Sequence, residues 1–311
     1  MDKSIICELA QAGLIRLAGE DALVFLQNQL TCDVTALGTL KSTYGAYCTP
    51  KGRALASFLL WRTEQGFFMQ IPSSLREPIQ KQLTKYILRS QVKATDVPGE
   101  WAIIGVAGED AEALVQRATG VVPRQVHEVT HTADITVIHL PAGRYEILAT
   151  RDRSARIMES LCSGADNAEP EHWDWLDIRA GIPTILPATQ EEFVPQMLNL
   201  DALGGVSLTK GCYPGQEIVA RMHYRGTLKQ RMVLANLASG EVPQPGEKLF
   251  SPAFGEQACG TVVNAARSLE GGCDLLAVLQ IAAAGKGDIH WKAPDGALIR
   301  ILPLPYELPS A

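Results

Sequence analysis

Apolar residues along this chain fall into short runs whose spacing changes from region to region. Leu14-Ile15-Arg16-Leu17 reads as a strand, Ala18-Gly19-Glu20-Asp21 as a turn, and residues 22–30 as a helix with acidic residues at its start. The phrase returns 89 residues later: Ile103-Ile104-Gly105-Val106, then Ala107-Gly108-Glu109-Asp110, then a helical pattern over 111–118. Ala-Gly-Glu-Asp-Ala is identical in both copies, which points to two related α+β units. Between them, residues 52–62 and 66–71 read as strands, and about 75–88 as a helix. Residues 121–149 look extended, with a turn at Pro141-Ala142-Gly143, followed by a helix over 154–162 and a polar loop over 163–170. Beyond Arg225-Gly226 the pattern changes to short strand-like runs at 232–237, 247–250, 260–266, 275–281 and 298–302, divided by Gly, Pro and Asp. That spacing predicts a small all-β barrel or sandwich as the last domain.

Composition narrows the class. The 311 residues are 46% hydrophobic and 20% charged, enough to bury a sizeable core. Twenty-eight Lys+Arg against 34 Asp+Glu give −6, which argues against a globally basic nucleic-acid binder but leaves room for a local patch. The longest apolar stretches, 54–61 and 275–284, fall short of the ~20 residues that span a bilayer. The first residues lack the apolar core of a signal peptide, so a soluble cytoplasmic protein is expected. Seven cysteines (Cys7, Cys32, Cys48, Cys162, Cys212, Cys259, Cys273) are widely spaced, with no Cys-x-x-Cys. This argues against a disulfide framework, a zinc ribbon or a locally ligated iron–sulfur cluster. Most are expected to be small buried apolar residues.

Three segments carry chemistry on paper. His127-Glu128-Val129-Thr130-His131 matches the zinc-protease pattern, but that chemistry needs a helix, and the β-branched neighbours predict a strand. Gly105-Val-Ala-Gly108 lacks the full dinucleotide fingerprint and reads as turn and cap. The dense segment is Lys210-Gly-Cys-Tyr-Pro-Gly-Gln-Glu217. A cysteine beside a lysine, ahead of a helix starting near Gly215, is placed where a thiolate would be stabilised. Gln216 and Glu217 could bond the amide and amino edge of a heterocycle. The same residues also suit a buried cysteine in a turn, with Gln216 and Glu217 capping a helix, and chemistry alone does not separate the two. From Lys210 to Arg231 there are five basic residues (Lys210, Arg221, Arg225, Lys229, Arg231) and one acid, Glu217, a local +4. Such a strip suits a polycarboxylate ligand or an RNA backbone, or simply a solvated face.

The Lys210–Glu217 segment resembles the K-G-C-Y-x-G-Q-E signature of the YgfZ family, folate-binding proteins related to the glycine-cleavage T-protein. Further landmarks are similar to that family: Phe25-Leu-Gln-Asn-Gln-Leu-Thr-Cys-Asp33 as an N-terminal helix, Pro50-Lys-Gly-Arg53 as a glycine turn, Ile178-Arg-Ala-Gly-Ile-Pro183, Phe193-Val-Pro-Gln196 and Asn199-Leu200. They span about residues 14–231. The resemblance implies an α+β fold with a T-protein-like three-domain arrangement around a central ligand opening. Residues 1–225 would form two intertwined α+β domains, and 226–311 a C-terminal β-barrel. It also implies tetrahydrofolate as the ligand, and a role in iron–sulfur cluster assembly or repair that supports tRNA modification. The implied partners are folate, cluster-assembly or client proteins and tRNA, with no membrane. Cys212 would be the reactive residue with Lys210 as its activator, and Tyr213, Gln216, Glu217, Arg221 and Arg179 would hold the ligand; no resident metal is implied.

Two departures from the T-proteins stand out. Where those carry adjacent aspartates after the glycine turn, this chain has Ala56-Ser57. Where they carry a pterin-facing glutamate in E-A-G, it has Arg179-Ala180-Gly181. Neither Ala56 nor Ser57 can act as a carboxylate base, which argues against aminomethyl transfer. The readings that compete with the accessory protein are a folate-dependent one-carbon transferase and a docking module for RNA or an acidic protein.

Overall fold

Strands Ala12–Ala18 and Gly66–Pro72 pair antiparallel, with Ala12 opposite Pro72 and Leu17 opposite Phe67. This computed structural model describes residues 3–97, 99–224 and 228–309; Arg225 of the basic strip lies outside them. The pair sits inside a five-stranded sheet ordered Ser42–Cys48, Ala54–Thr63, Gly66–Pro72, Ala12–Ala18, Lys93–Asp96. Helix Ser73–Thr84 turns Leu75, Ile79 and Leu83, spaced four apart, toward this sheet. A second sheet has the order Asp166–Asn167, Ile5–Glu8, Trp101–Ala107, Arg144–Thr150, Ile135–Leu140, Val129–His131. Helices Ala111–Thr119 and Arg151–Cys162 cover it over a core that includes Ile104, Val106, Leu114, Val115, Val137, Ile147, Ile157 and Leu161. Each such side chain, fully buried, stabilises the fold by about 1.5–3 kcal/mol.

The repeated phrase folds the same way twice. Ala22 N–H donates to Gly19 O at 3.1 Å, and Ala111 N–H to Gly108 O at 3.2 Å. Phe25 N–H donates to Asp21 O at 2.8 Å, and Leu114 N–H to Asp110 O at 2.9 Å. Each copy leads from a strand into a helix, one strand in each sheet.

The last region closes a six-stranded barrel in the order Gln230–Leu237, Cys273–Gln280, Ala258–Arg267, Lys248–Phe250, Ile289–Trp291, Ala297–Leu302. Five of these strands match the predicted runs; Ile289–Trp291 is additional. Leu237, Leu249, Val262, Leu275, Leu279, Ile289 and Ile299 fill the interior. The chain groups into two compact units: Met1–Leu26, Val34–Thr43 and Phe58–Trp173 in one, and Gln27–Asp33, Tyr44–Ser57 and Asp174–Ala311 in the other.

Several expectations are corrected. The first helix stops at Gln27, not residue 30, because Leu30 pairs with Tyr47 in a β-bridge and Thr31 bonds Ala46. The helix expected over 75–88 ends at Thr84, and the one expected from 154 begins at Arg151. The polar loop 163–170 contains a two-residue strand, Asp166–Asn167, parallel to Ile5–Glu8. His127 lies in a loop and His131 at the end of strand Val129–His131. The Glu128 carboxylate accepts the N–H groups of Arg124 and Gln125. Gly108 does begin a turn, but Gly105 does not: it lies within strand Trp101–Ala107, facing Trp173. Among the described residues no helix is long and apolar enough to cross a membrane.

A Cβ at position 105 would stand 2.5 Å from the Trp173 ring, which is buried and lies 5.1 Å from the Arg144 guanidinium. Gly105→Ala is therefore expected to lower unfolding stability by about 1–3 kcal/mol through overpacking. A urea midpoint equal to wild type would contradict this.

Candidate functional site

The Lys210–Glu217 segment rests on a short stretch of chain that the sequence placed in a helix. Freed from that helix, Thr31 N–H donates to Ala46 O at 3.0 Å, and Ser207 N–H donates to Thr31 O at 2.8 Å. The Thr31 hydroxyl donates to Gly205 O at 2.6 Å and accepts the Ala46 N–H at 2.8 Å. The approach to the signature is thereby tied to residues 30–32. Lys210 completes the tie: its buried Nζ donates to Leu30 O at 2.7 Å and to Cys32 O at 2.8 Å. Its ammonium also lies 5.2 Å from the centre of the Tyr213 ring.

The far end of the segment is fixed by close backbone packing. The Pro50–Arg53 turn closes through Gly52 N–H to Thr49 O at 2.9 Å and Thr49 N–H to Arg53 O at 2.8 Å. Gly215, at φ +81°, leaves no room for a side chain: a Cβ would meet Gly52 Cα and N at 2.5 Å. The expected helix then runs from Gln216 to Tyr224. Gln216 Nε2 donates back to Lys210 O at 3.3 Å, bracing the loop across its base.

This arrangement separates residues that stand side by side in sequence. Lys210 and Tyr213 are buried, Gln216 is half-buried, and Cys212, Glu217 and Arg221 are exposed. Lys210 thus points at two carbonyl oxygens beneath the loop while the Cys212 thiol faces solvent four residues before the helix. Burial pulls the Lys210 ammonium down to about 8, partly offset by Cys32 and Asp33. Burial pushes the Cys32 and Cys48 thiols up to about 12, with Lys210 opposing the shift at Cys32. Tyr213 is also raised, by burial first and then by Cys48 and Cys32. Its hydroxyl is buried without a hydrogen-bond partner among the described residues.

Arg179 has its own setting. Its Nη1 lies 3.6 Å from Asp274 Oδ2, and the buried Asp274 also accepts from Trp175 Nε1 at 2.8 Å and Asn236 Nδ2 at 2.7 Å. Two residues on, the Tyr306 hydroxyl donates to Gly181 O at 2.8 Å and accepts from Asn199 Nδ2 at 3.3 Å. Ala56 is fully buried, and Ser57 Oγ donates to Pro183 O and accepts the Ile185 N–H, both at 2.9 Å. Asp274, Tyr306 and Thr31 were not singled out in the sequence. Their partners are distant along the chain, so no local spacing marks them.

Comparison with known proteins gives the family and the fold. Residues 1–147 match the GCVT N-terminal domain family. Over 299 residues the chain is 33% identical to the tRNA-modifying protein YgfZ of Yersinia pseudotuberculosis (strain IP 31758), covering 95% of this chain and 90% of that protein. The chain belongs to the YgfZ family. The Sodalis glossinidius tRNA-modifying protein YgfZ is 31% identical, covering 97% of this chain and 93% of its own length. The structure of glycine cleavage system aminomethyltransferase T from Bartonella henselae superposes with a TM-score of 0.76 at 14% identity, over 96% of this chain and 85% of that one. The fold of this YgfZ-family chain is therefore T-protein-like, with the closed barrel at its C-terminal end.

Two expected outcomes follow from the buried and exposed groups. A maleimide should label native protein only at Cys162 and Cys212, the other five thiols reacting only on unfolding; rapid labelling of a third thiol would contradict the packing. Because Lys210 is depressed in the folded state, the unfolded chain binds the extra proton between about pH 8 and 10.5. Its contribution to stability therefore rises with pH through that window, while Cys32 and Cys48 oppose it above about pH 9. Urea melts of wild type minus Lys210→Met cancel most of the thiol contribution, and the difference should shift in favour of wild type from pH 7.5 to 9.5. A pH-independent difference would contradict the burial of the charge.

Proposed function

We propose that this protein is a cytoplasmic, folate-binding accessory factor whose Cys212 thiol serves iron–sulfur cluster assembly or repair, and through it tRNA modification. The observation that carries this reading is the separation of roles in the signature: Lys210 holds the loop from below, so Cys212 is presented to solvent from a fixed backbone. A thiol so placed is accessible to a protein client or a cluster delivered as substrate, whereas the five buried cysteines are not. The names of the curated relatives supply the link to tRNA.

The residues present suit a folate in their chemistry. Glu217 and Gln216 offer groups that match a pterin's N–H and carbonyl edge, and Arg221, one turn along the same helix, suits a carboxylate tail. Among the described residues the buried side-chain oxygens Gln196 Oε1 and Asn199 Oδ1 lack donors, acceptor capacity that a ligand or water would use. A bound reduced folate supplies one-carbon carrying capacity at its ring nitrogens. The chain's own part is to bind and orient it. Ser57 is occupied in backbone bonds and Ala56 has no polar group, so neither provides the carboxylate of an aminomethyltransferase. Tyr213 supports the loop from inside, and Arg179 acts in concert with Asp274.

Calorimetry with tetrahydrofolate tests the ligand half: Glu217→Gln and Arg221→Ala should each weaken binding about tenfold, the effect of losing one charge-assisted hydrogen bond. Cys212→Ala should bind as wild type. In cells lacking the gene, Cys212→Ala should fail to restore cluster-dependent tRNA modifications although it folds normally. Full restoration by Cys212→Ala would overturn the role of the thiol, and absence of folate binding by wild type would overturn the ligand.

A further inference from the structure

A second basic surface lies far along the chain from the signature. Between Arg76 and Lys93 there are five basic residues (Arg76, Lys81, Lys85, Arg89, Lys93) and one acid, Glu77, again a local +4 in a chain of −6. Two of the five are neutralised: Arg76 pairs with Asp96, and Lys81 with Glu77 one turn away. Among the described residues Lys85 meets only the neutral Gln82 amide, and Arg89 and Lys93 are exposed. The adjoining Asp21 carboxylate is occupied by the Gln91 N–H at 2.7 Å.

Between Lys85 and Arg89 the apolar pattern inverts. Within helix Ser73–Thr84, Leu75, Ile79 and Leu83 are buried, as an amphipathic helix requires. Just past its end, Tyr86 is exposed and Leu88 is 88% exposed, the highest value among the large hydrophobic side chains described. Leu88 also has φ +41°, a left-handed backbone that bulky side chains rarely adopt. The tip is nonetheless held by Ile87 N–H to Thr84 O at 3.2 Å and Ser90 N–H to Ile87 O at 2.8 Å. An ordered turn thus displays an aromatic and an aliphatic side chain in water with a cation on each side. Backbone strain kept with no packing return is a feature of binding surfaces.

We infer that the Lys85–Arg89 turn is an RNA-docking tip: Lys85 and Arg89 bind backbone phosphates while Tyr86 stacks on an unpaired base, as in a tRNA loop. Phosphate charge matches the two unneutralised cations, and an exposed aromatic between them suits an unstacked base. Two apolar side chains are too few to anchor the protein to a bilayer, which favours RNA over a lipid surface. This inference rests on the proposed connection to tRNA and deepens it by naming where the RNA would be held.

The test is fluorescence anisotropy with a labelled, unmodified tRNA transcript from about 50 to 300 mM KCl. Lys85→Ala/Arg89→Ala should weaken binding at least tenfold and flatten the salt slope by about two phosphate contacts. Tyr86→Ala should weaken binding about tenfold with the slope unchanged. Arg153→Ala/Arg156→Ala, removing two exposed cations from helix Arg151–Cys162, should stay within about twofold of wild type. Far-ultraviolet circular dichroism melts report that each variant is folded. Wild-type affinity in the tip variants, or equal losses in the control pair, overturns the docking tip while leaving the tRNA connection standing. No binding by wild type even at low salt overturns the docking tip as well, and leaves the indirect, cluster-borne link to tRNA modification to the complementation test of Cys212→Ala. Tip-dependent sedimentation with phosphatidylglycerol vesicles, without tip-dependent tRNA binding, assigns the surface to lipid and overturns the RNA reading.

Discussion

The buried ammonium of Lys210 is the interaction on which the signature depends. Its two bonds, to Leu30 O and Cys32 O, join the loop to a stretch of chain some 180 residues earlier. Charge-assisted bonds of this kind contribute about 1.5–3 kcal/mol each, set against a desolvation cost of several kcal/mol for the ion. The depressed ammonium titration expresses that cost. The net stabilisation is modest, so the value of the lysine lies in specificity of position. No apolar residue could satisfy both carbonyls, and those carbonyls are available only because the preceding helix ends at Gln27.

That ending explains why part of the site was hidden in the sequence. Phe25 to Leu30 has a good helical pattern, and nothing local says that Leu30 will bridge Tyr47 or that Thr31 will bond Gly205 and Ala46. Long-range hydrogen bonds overrode local propensity at this point. The same limitation hid Asp274, whose partners Trp175, Arg179 and Asn236 are scattered along the chain. By contrast, the helix start at Gln216 was legible because the tight backbone around Gly215 is a local demand, and the glycine turn at Pro50–Arg53 was legible only through the family resemblance.

Fold-level features divide in the same way. The duplicated Ala-Gly-Glu-Asp-Ala phrase was readable because each copy makes its own strand-to-helix turn with the same two backbone bonds. The barrel was readable from its turn spacing, although Ile289–Trp291 is too short to announce itself. Gly105 shows the opposite case: its neighbours suggest a turn, yet its role is to admit the Trp173 ring 68 residues away. The sequential pairing of Lys210 with Cys212 suggested activation of a thiol. The fold places the lysine under the loop as an anchor, its ammonium on Leu30 O and Cys32 O, and leaves the cysteine exposed, a division between holding the loop and facing solvent.

Amide hydrogen exchange tests that division most directly. If Lys210 anchors the loop, Lys210→Met should accelerate exchange at Thr31, Ser207 and Gln216, whose N–H groups bond Ala46, Thr31 and Tyr213, while Cys212→Ala leaves all three protected. Unchanged protection in Lys210→Met, or equal loss in Cys212→Ala, would contradict the account.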